Sequence, residues 1–298
     1  MIDVAEIRPA WVPNDLYPFA DRWADIDGHR VHYLDEGAGP PILLLNGNPS
    51  WSFGWRDVIL RLRERFRCIA PDYPGFGMSR EAPGFDFRPS SQSRVVEALV
   101  DRLGLDGLIV VAYAWGGPIG LGFAGRRPDL IRGLVIGNTW AWPKGDPVTQ
   151  LFSRLLGGPI GRRLIQHRNL FVEAALPGGV RLRTLPEAVM NAYRGPFPTP
   201  ASRRPTAVFP REILASRPFL ADIERRLPEL SDRPALIVWP TKDVAFGDRE
   251  RERWEELFPD HRTVLLEGAG HYIQEDAPDE IVTAIQGWRS PPHPESPG

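Results

Sequence analysis

Reactive side chains are sparse in this 298-residue chain, and their spacing says more than their number. The most informative run is Val110-Val111-Ala112-Tyr113-Ala114-Trp115-Gly116-Gly117. It reads as an apolar strand, a tight turn with small residues two positions either side of its centre, and the start of a helix. That is the layout of a nucleophile elbow, whose central residue is held in a strained turn between strand and helix. The flanking residues are Ala112 and Gly116, and the centre is Ala114, which has no nucleophilic atom. Asp243 follows the apolar strand Ala235–Trp239, where a carboxylate can orient an imidazole, and His271 lies on a loop after the next strand. Taken singly, Asp243 reads as a turn carboxylate, and His271 reads equally well as a solvated loop histidine or a base. Together, in the order elbow, acid, base, they read as a catalytic His–Asp dyad. The loop Asn46-Gly47-Asn48-Pro49-Ser50-Trp51 would supply one backbone N–H of an oxyanion hole, the residue after the elbow centre the other. Alone it reads as a Gly-Asn-Pro turn.

These residues need a scaffold, and the chain alternates short apolar strands with helix-length stretches, the pattern of a mostly parallel sheet. A hairpin at Trp23–Asp27 and Arg30–Asp35, turning at Gly28, precedes the strand Pro41–Leu45. A helix over Phe53–Phe66, the strand Cys68–Pro71, a helix capped by Ser90 or Ser91 and ending near Leu103, and the strand Leu108–Ala112 follow. Leu134–Ile136 closes the first half. Residues 141–212 then hold short helical stretches rich in Pro and Gly and no convincing strand. Alternation resumes with Ala235–Trp239, a helix at Arg249–Phe258, the strand Thr263–Leu266 and a helix at Pro278–Trp288. The expected organisation is an α/β core from residues 1–140 and 213–289, with 141–212 as a helical cap. Residues 290–298, rich in Pro, read as an unstructured tail. Pockets in such sheets lie at the carboxyl ends of the strands, so the insertion would form a lid.

Composition bounds the function from outside. Apolar residues are 42% and charged residues 25%, an ordinary globular balance. With 36 Lys+Arg against 38 Asp+Glu, no broad basic surface for nucleic acid is implied. The single cysteine, Cys68, excludes an intrachain disulfide and a cysteine-based zinc site, and at the start of a buried strand it reads as an inert thiol. The N-terminal stretch has acids where a signal peptide has basic residues, and no apolar run approaches membrane-span length. A cytoplasmic protein with no nucleic-acid or membrane partner is expected. Scattered histidines and the lack of a phosphate-binding glycine fingerprint after a strand imply no metal and no organic cofactor.

Several runs resemble the haloalkane dehalogenases of the α/β-hydrolase superfamily, in particular the actinobacterial-type members. They are Asn48-Pro49 with Trp51, Pro71-Asp72-Tyr73-Pro74-Gly75-Phe76-Gly77-Met78-Ser79, Trp115-Gly116-Gly117-Pro118-Ile119, Gly137-Asn138-Thr139-Trp140 and His271-Tyr272-Ile273-Gln274-Glu275-Asp276-Ala277-Pro278. The resemblance covers nearly the whole chain, cap included, and implies the α/β-hydrolase fold. In that family an elbow aspartate displaces halide and a histidine–acid pair hydrolyses the resulting ester. By resemblance, Asp243 and His271 are the acid and base, and Trp115 and Asn48 hold the leaving halide. The departures gather around one pocket. Ala114 stands for the aspartate, Tyr113 for the glutamine before it, Asn46 for the loop histidine and Pro240 for the glycine after the acid strand's tryptophan. Asp72 belongs to a motif the family shares and reads as structural.

Three functional readings follow. The favoured one is an enzyme using His271–Asp243 for non-covalent acid–base chemistry (elimination, isomerisation, cyclisation or direct water attack) on a small hydrophobic substrate. The others are a catalytically silent binder of a small ligand and a dehalogenase inactivated at its nucleophile. Asn46, Tyr113, Trp140, Trp142, Phe152 and Phe171 are expected around the pocket. Each lid aromatic, Phe209 among them, reads more readily as lid core than as a substrate contact, with a few expected to line the pocket.

Overall fold

A computed structural model describes residues 8–288. The chain opens with the antiparallel pair β1 (Arg22–Ile26) and β2 (His29–Glu36), joined by Asp27-Gly28. Both turn residues have positive φ, +49° and +82°, which is the backbone that Asp-Gly supplies in a tight hairpin. Next come β3 (Pro41–Leu44), α1 (Arg56–Leu62), β4 (Arg67–Pro71), α2 (Pro89–Leu103) and β5 (Leu108–Ala114). The first half ends with α3 (Gly116–Ala124) and β6 (Ile131–Thr139).

Between β6 and the next strand the described chain is helical. It holds α4 (Pro147–Gly157), α5 (Pro159–Arg168), a π-turn at Phe171–Ala175, α6 (Leu176–Gly179), α7 (Glu187–Arg194), α8 (Arg204–Ala215) and α9 (Arg217–Arg226). The chain closes with β7 (Ala235–Pro240), α10 (Asp248–Leu257), β8 (His261–Leu266), α11 (Ile273–Asp276) and α12 (Pro278–Gly287).

Among the described residues, eight strands form one sheet in the order β1-β2-β4-β3-β5-β6-β7-β8. Only β1–β2 and β2–β4 pair antiparallel. The five strands from β3 through β8 run parallel side by side, together with β4. Central β5 is buried at every residue, as its unbroken apolar run requires when helices cover both faces. One helical group packs α1 against α12, the other α2 and α3 with α9.

Several local readings shift. The helix expected over Phe53–Phe66 begins as a 3₁₀ turn, Ser52–Trp55, and its α part stops at Leu62. Ser90 and Ser91 do not cap α2. Pro89 occupies the first helical position, so Arg88 is the cap residue and both serines fall inside the first turn. The insertion boundary drawn at 212 falls within α8, which packs on α4 and α5, while α9 after it packs on α3 of the core. The expected tail at 290–298 lies outside the described residues.

Candidate active site

Strand order puts the site together. The chain reverses direction of winding between β3 and β5, and loops leaving the carboxyl ends of neighbouring strands meet there. β3 leads to Asn46 and Asn48, β5 to Ala114 and Trp115, β6 to Asn138, β7 to Asp243 and β8 to His271.

The elbow has the backbone its sequence implies. Ala114 sits at φ +45°, a left-handed conformation that a side-chain-bearing residue adopts only under constraint. The Thr139 hydroxyl donates to the Ala114 carbonyl at 2.5 Å and braces the turn. The glycines after it are obligatory for packing. A Cβ on Gly116 would lie 2.8 Å from the Leu45 carbonyl oxygen, and one on Gly117 would lie 1.8 Å from Thr139 Oγ1.

His271 donates through Nδ1 to Asp243 Oδ2 at 2.9 Å. That bond fixes the tautomer and leaves Nε2 as the free basic nitrogen. Asp243 Oδ1 accepts the Ala245 N–H at 2.7 Å. Burial pushes the Asp243 carboxyl upward, but His271, the Ala245 N–H and Asn138 outweigh it and hold the group below its ordinary value. Asn138 was not singled out from sequence as a site residue. Its amide donates to Asp243 Oδ2 at 2.5 Å and to the His271 carbonyl at 2.8 Å, tying Asp243 to the His271 loop. The usable signal was its place at the carboxyl end of the strand between the elbow strand and the acid strand.

The His271 loop is also tied to the helical segment between β6 and β7. His271 N–H donates to the Gly179 carbonyl at 2.8 Å, and a Cβ on Gly270 would lie 2.2 Å from that oxygen. Asp276 accepts the backbone N–H groups of Gly270, Arg181 and Leu182. Glu275 is fully buried and binds the Arg56 guanidinium with both oxygens, at 2.5 and 3.0 Å. Tyr193 on α7 donates to Glu275 at 2.6 Å and Arg183 at 2.7 Å.

A cavity of about 370 Å³ lies over the elbow. Ala114, Trp115, Asn48 and His271 line it, with Trp140, Phe152 and Phe171 from the predicted set. Phe246, unmarked in the sequence, also lines it and stacks on His271 at 5.9 Å between ring centres. Among the described residues, neither Asn48 N–H nor Trp115 N–H donates in the turn and loop hydrogen bonds, and the Trp115 indole has no hydrogen-bond partner. The Asn48 side-chain amide donates to the Thr206 carbonyl of α8 at 3.2 Å.

Three expected pocket residues do not line this cavity. Tyr113 precedes the elbow centre, and strand alternation turns it to the opposite side, where its fully buried ring lies 6.0 Å from Trp55 and 5.7 Å from His271. Burial drives its phenol pKa well up, so it offers no nucleophile. Asn46 turns its amide toward the Pro71 carbonyl. Trp142 packs on Trp254 beneath the Arg253 guanidinium and lines a separate groove. Cys68 is buried and its thiol is pushed up to about 12 by desolvation, which removes its thiolate at neutral pH. Asp72 is structural: its carboxylate accepts Ser52 N–H, Met78 N–H and the His32 ring.

This fold and constellation define a hydrolase-type α/β scaffold. A family model described as the alpha/beta hydrolase fold matches residues 40–278. "Haloalkane dehalogenase 2" of Mycobacterium tuberculosis is 48% identical over 272 residues, covering 91% of this chain and 95% of that one. A cis-3-alkyl-4-alkyloxetan-2-one decarboxylase of Shewanella oneidensis is 33% identical, covering 92% and 89%. Among solved structures, an ancestral haloalkane dehalogenase superposes with a TM-score of 0.82 at 33% identity over 90% of this chain and 97% of that one. The chain belongs to the alpha/beta hydrolase fold family and, by descent, to its haloalkane dehalogenase branch.

Proposed function

We propose that the protein is an enzyme of this branch working without a covalent nucleophile, with His271 as general base and Asp243 as its orienting acid. His271 Nε2 would take a proton from water or directly from a small hydrophobic substrate. Asp243, supported by Asn138, would stabilise the imidazolium that forms. The N–H groups of Asn48 and Trp115 would face developing negative charge, and Ala114 would leave space where an aspartate stands in the family pattern. What supports this is the intact 2.9 Å His271–Asp243 bond beside an elbow that carries only a methyl group. A protein that only held a ligand would have no use for that dyad.

A second reading is a dehalogenase inactivated at its nucleophile, favoured by the 48% identity and by Asn48 and Trp115 in the cavity wall. One experiment separates the two. Haloalkanes, esters, epoxides and a cis-3-alkyl-4-alkyloxetan-2-one are offered to the wild type, His271→Ala and Ala114→Asp. The proposal expects wild-type turnover that falls about 10²–10⁴-fold in His271→Ala, with no adduct in the mass spectrum of quenched enzyme. A covalent adduct, or turnover indifferent to His271, refutes it. An inert wild type with halide release gained by Ala114→Asp establishes the second reading instead.

A further inference from the structure

The largest exposed apolar side chains are not scattered. Among the described residues, six of them fall between positions 148 and 164, on α4 and α5. Val148, Leu151, Phe152 and Leu155 recur at i, i+3, i+4 and i+7, a helical stripe that in a globular helix faces the core. Here it faces solvent, with Val148 79% exposed and Leu155 62%. On α5, Ile160 and Leu164 repeat the pattern one turn apart, and Ile160 is 86% exposed. The buried side of α4 is carried by small groups instead. A Cβ on Gly157 would lie 2.6 Å from the Arg211 Cα of α8, and Ser153 donates to the Pro210 carbonyl.

Charge on the same two helices has one sign. Residues 147–172 contain Arg154, Arg162, Arg163 and Arg168 and no Asp or Glu. None of the four makes an ion pair among the described residues, and Arg154 reaches only Gln150. The adjoining α8 adds Arg211, while its Arg204 lies over the Phe87 ring and its one acid, Glu212, is buried against Ser216. Exposed apolar side chains and unpaired cations carried on the same two helices suit a surface that is oily beneath a negative layer. A second copy of this chain suits it poorly. Two-fold pairing sets the same patch against itself, bringing four arginines of each copy together.

We propose that the α4–α5 corner docks on an anionic lipid surface and that the cavity mouth opens beside it. Phe152 belongs both to the exposed stripe and to the wall of the cavity, and exposed Val244 lines the same cavity. A substrate partitioned into lipid would reach Ala114 without crossing bulk water. The docking is independent of the chemistry assigned to His271. It revises the expectation of no membrane partner, which rested on the lack of a spanning run; no helix described is long and apolar enough to cross.

The test is sedimentation of the full chain with phosphatidylglycerol–phosphatidylcholine vesicles against pure phosphatidylcholine vesicles. The wild type is expected to partition onto the anionic vesicles and to be released by added salt. Arg162→Gln with Arg163→Gln lowers partition by roughly 25-fold, at about fivefold per cation. Leu151→Glu with Leu155→Glu abolishes it. Thermal unfolding checks that these surface variants are folded, and the wild-type arm depends on no variant. The proposal is overturned if the wild type ignores anionic vesicles, binds pure phosphatidylcholine equally, or keeps full binding in Arg162→Gln/Arg163→Gln. It is equally overturned if sedimentation velocity shows a dimer that Leu151→Glu/Leu155→Glu dissolves, since the stripe is then an interface between copies.

Discussion

Neutralising Glu275 should cost this fold more than any surface charge change. The carboxylate is wholly buried, Arg56 is 4% exposed, and the two are joined by paired hydrogen bonds. Glu275→Gln keeps the shape but leaves a buried guanidinium with only the partly exposed Asp57 carboxylate, 3.5 Å away, as counter-charge. Removing one partner of a buried pair costs about 3–5 kcal/mol, or roughly 6–10 °C in Tm at about 2 °C per kcal/mol for a chain of this size. Arg56→Met should cost less, roughly 2 kcal/mol, because Arg183 and the Tyr193 hydroxyl still hold the carboxylate. In the double variant no orphaned charge remains, so the loss should fall short of the sum of the singles by about 2 kcal/mol or more. Urea unfolding followed by tryptophan fluorescence measures all three. The exposed Arg194–Glu173 pair is the control, and breaking it should cost about 0–1 kcal/mol. Since Arg183 and Tyr193 come from the insertion, proteolysis near 180–186 should also accelerate in Glu275→Gln. Additive single losses, or a Glu275→Gln variant within about 1 kcal/mol of wild type, would refute the view that this cluster is desolvated and binds the helical segment to the His271 loop.

Three further outcomes follow from the geometry. Asn138→Ala removes the donor shared by Asp243 and the His271 carbonyl, and turnover should drop about 10–100-fold with little change in KM; an unchanged kcat would deny Asn138 a positioning role. Gly117→Ala drives a Cβ into Thr139 and should destabilise by about 3 kcal/mol or prevent soluble expression, whereas Ala at Gly145, which faces open space, should be tolerated; equal stability of the two variants would contradict the elbow packing. At buried His32, desolvation opposes the charge, but Asp72 and Asp21 outweigh it and raise its pKa above the ordinary 6.5. Its stabilising contribution is therefore complete below about pH 6.5 and lost as pH rises through the folded value, so the urea midpoint should fall with rising alkalinity in wild type and not in His32→Gln.

Much of the site was legible because it is local. The small-residue pattern around Ala114, the hairpin turn at Gly28 and the glycines at 116 and 117 are set by sterics within a few residues, and such rules travel with the chain. That Ala114, Asp243 and His271 would come together could be read because each follows its own apolar strand. The cavity lining was half legible. Tyr113 and Asn46 were misplaced because the side to which a residue at a strand end turns depends on the pleat and on what lies behind it. Trp142 was misplaced because its partner, Trp254, is more than a hundred residues away in the chain.

The sequence by itself determined the strand–helix grammar, the elbow, the absence of a reactive atom at position 114 and the lineage. Only the tertiary structure decided that Asn138 joins Asp243 to His271, that Glu275 meets an arginine 219 residues away, and that the stripe on α4 faces outward. Propensity and turn sterics act between covalent neighbours and are written into the order of residues. Which strand lies beside which, and which apolar face finds a partner, depends on how the whole chain shares out its buried surface.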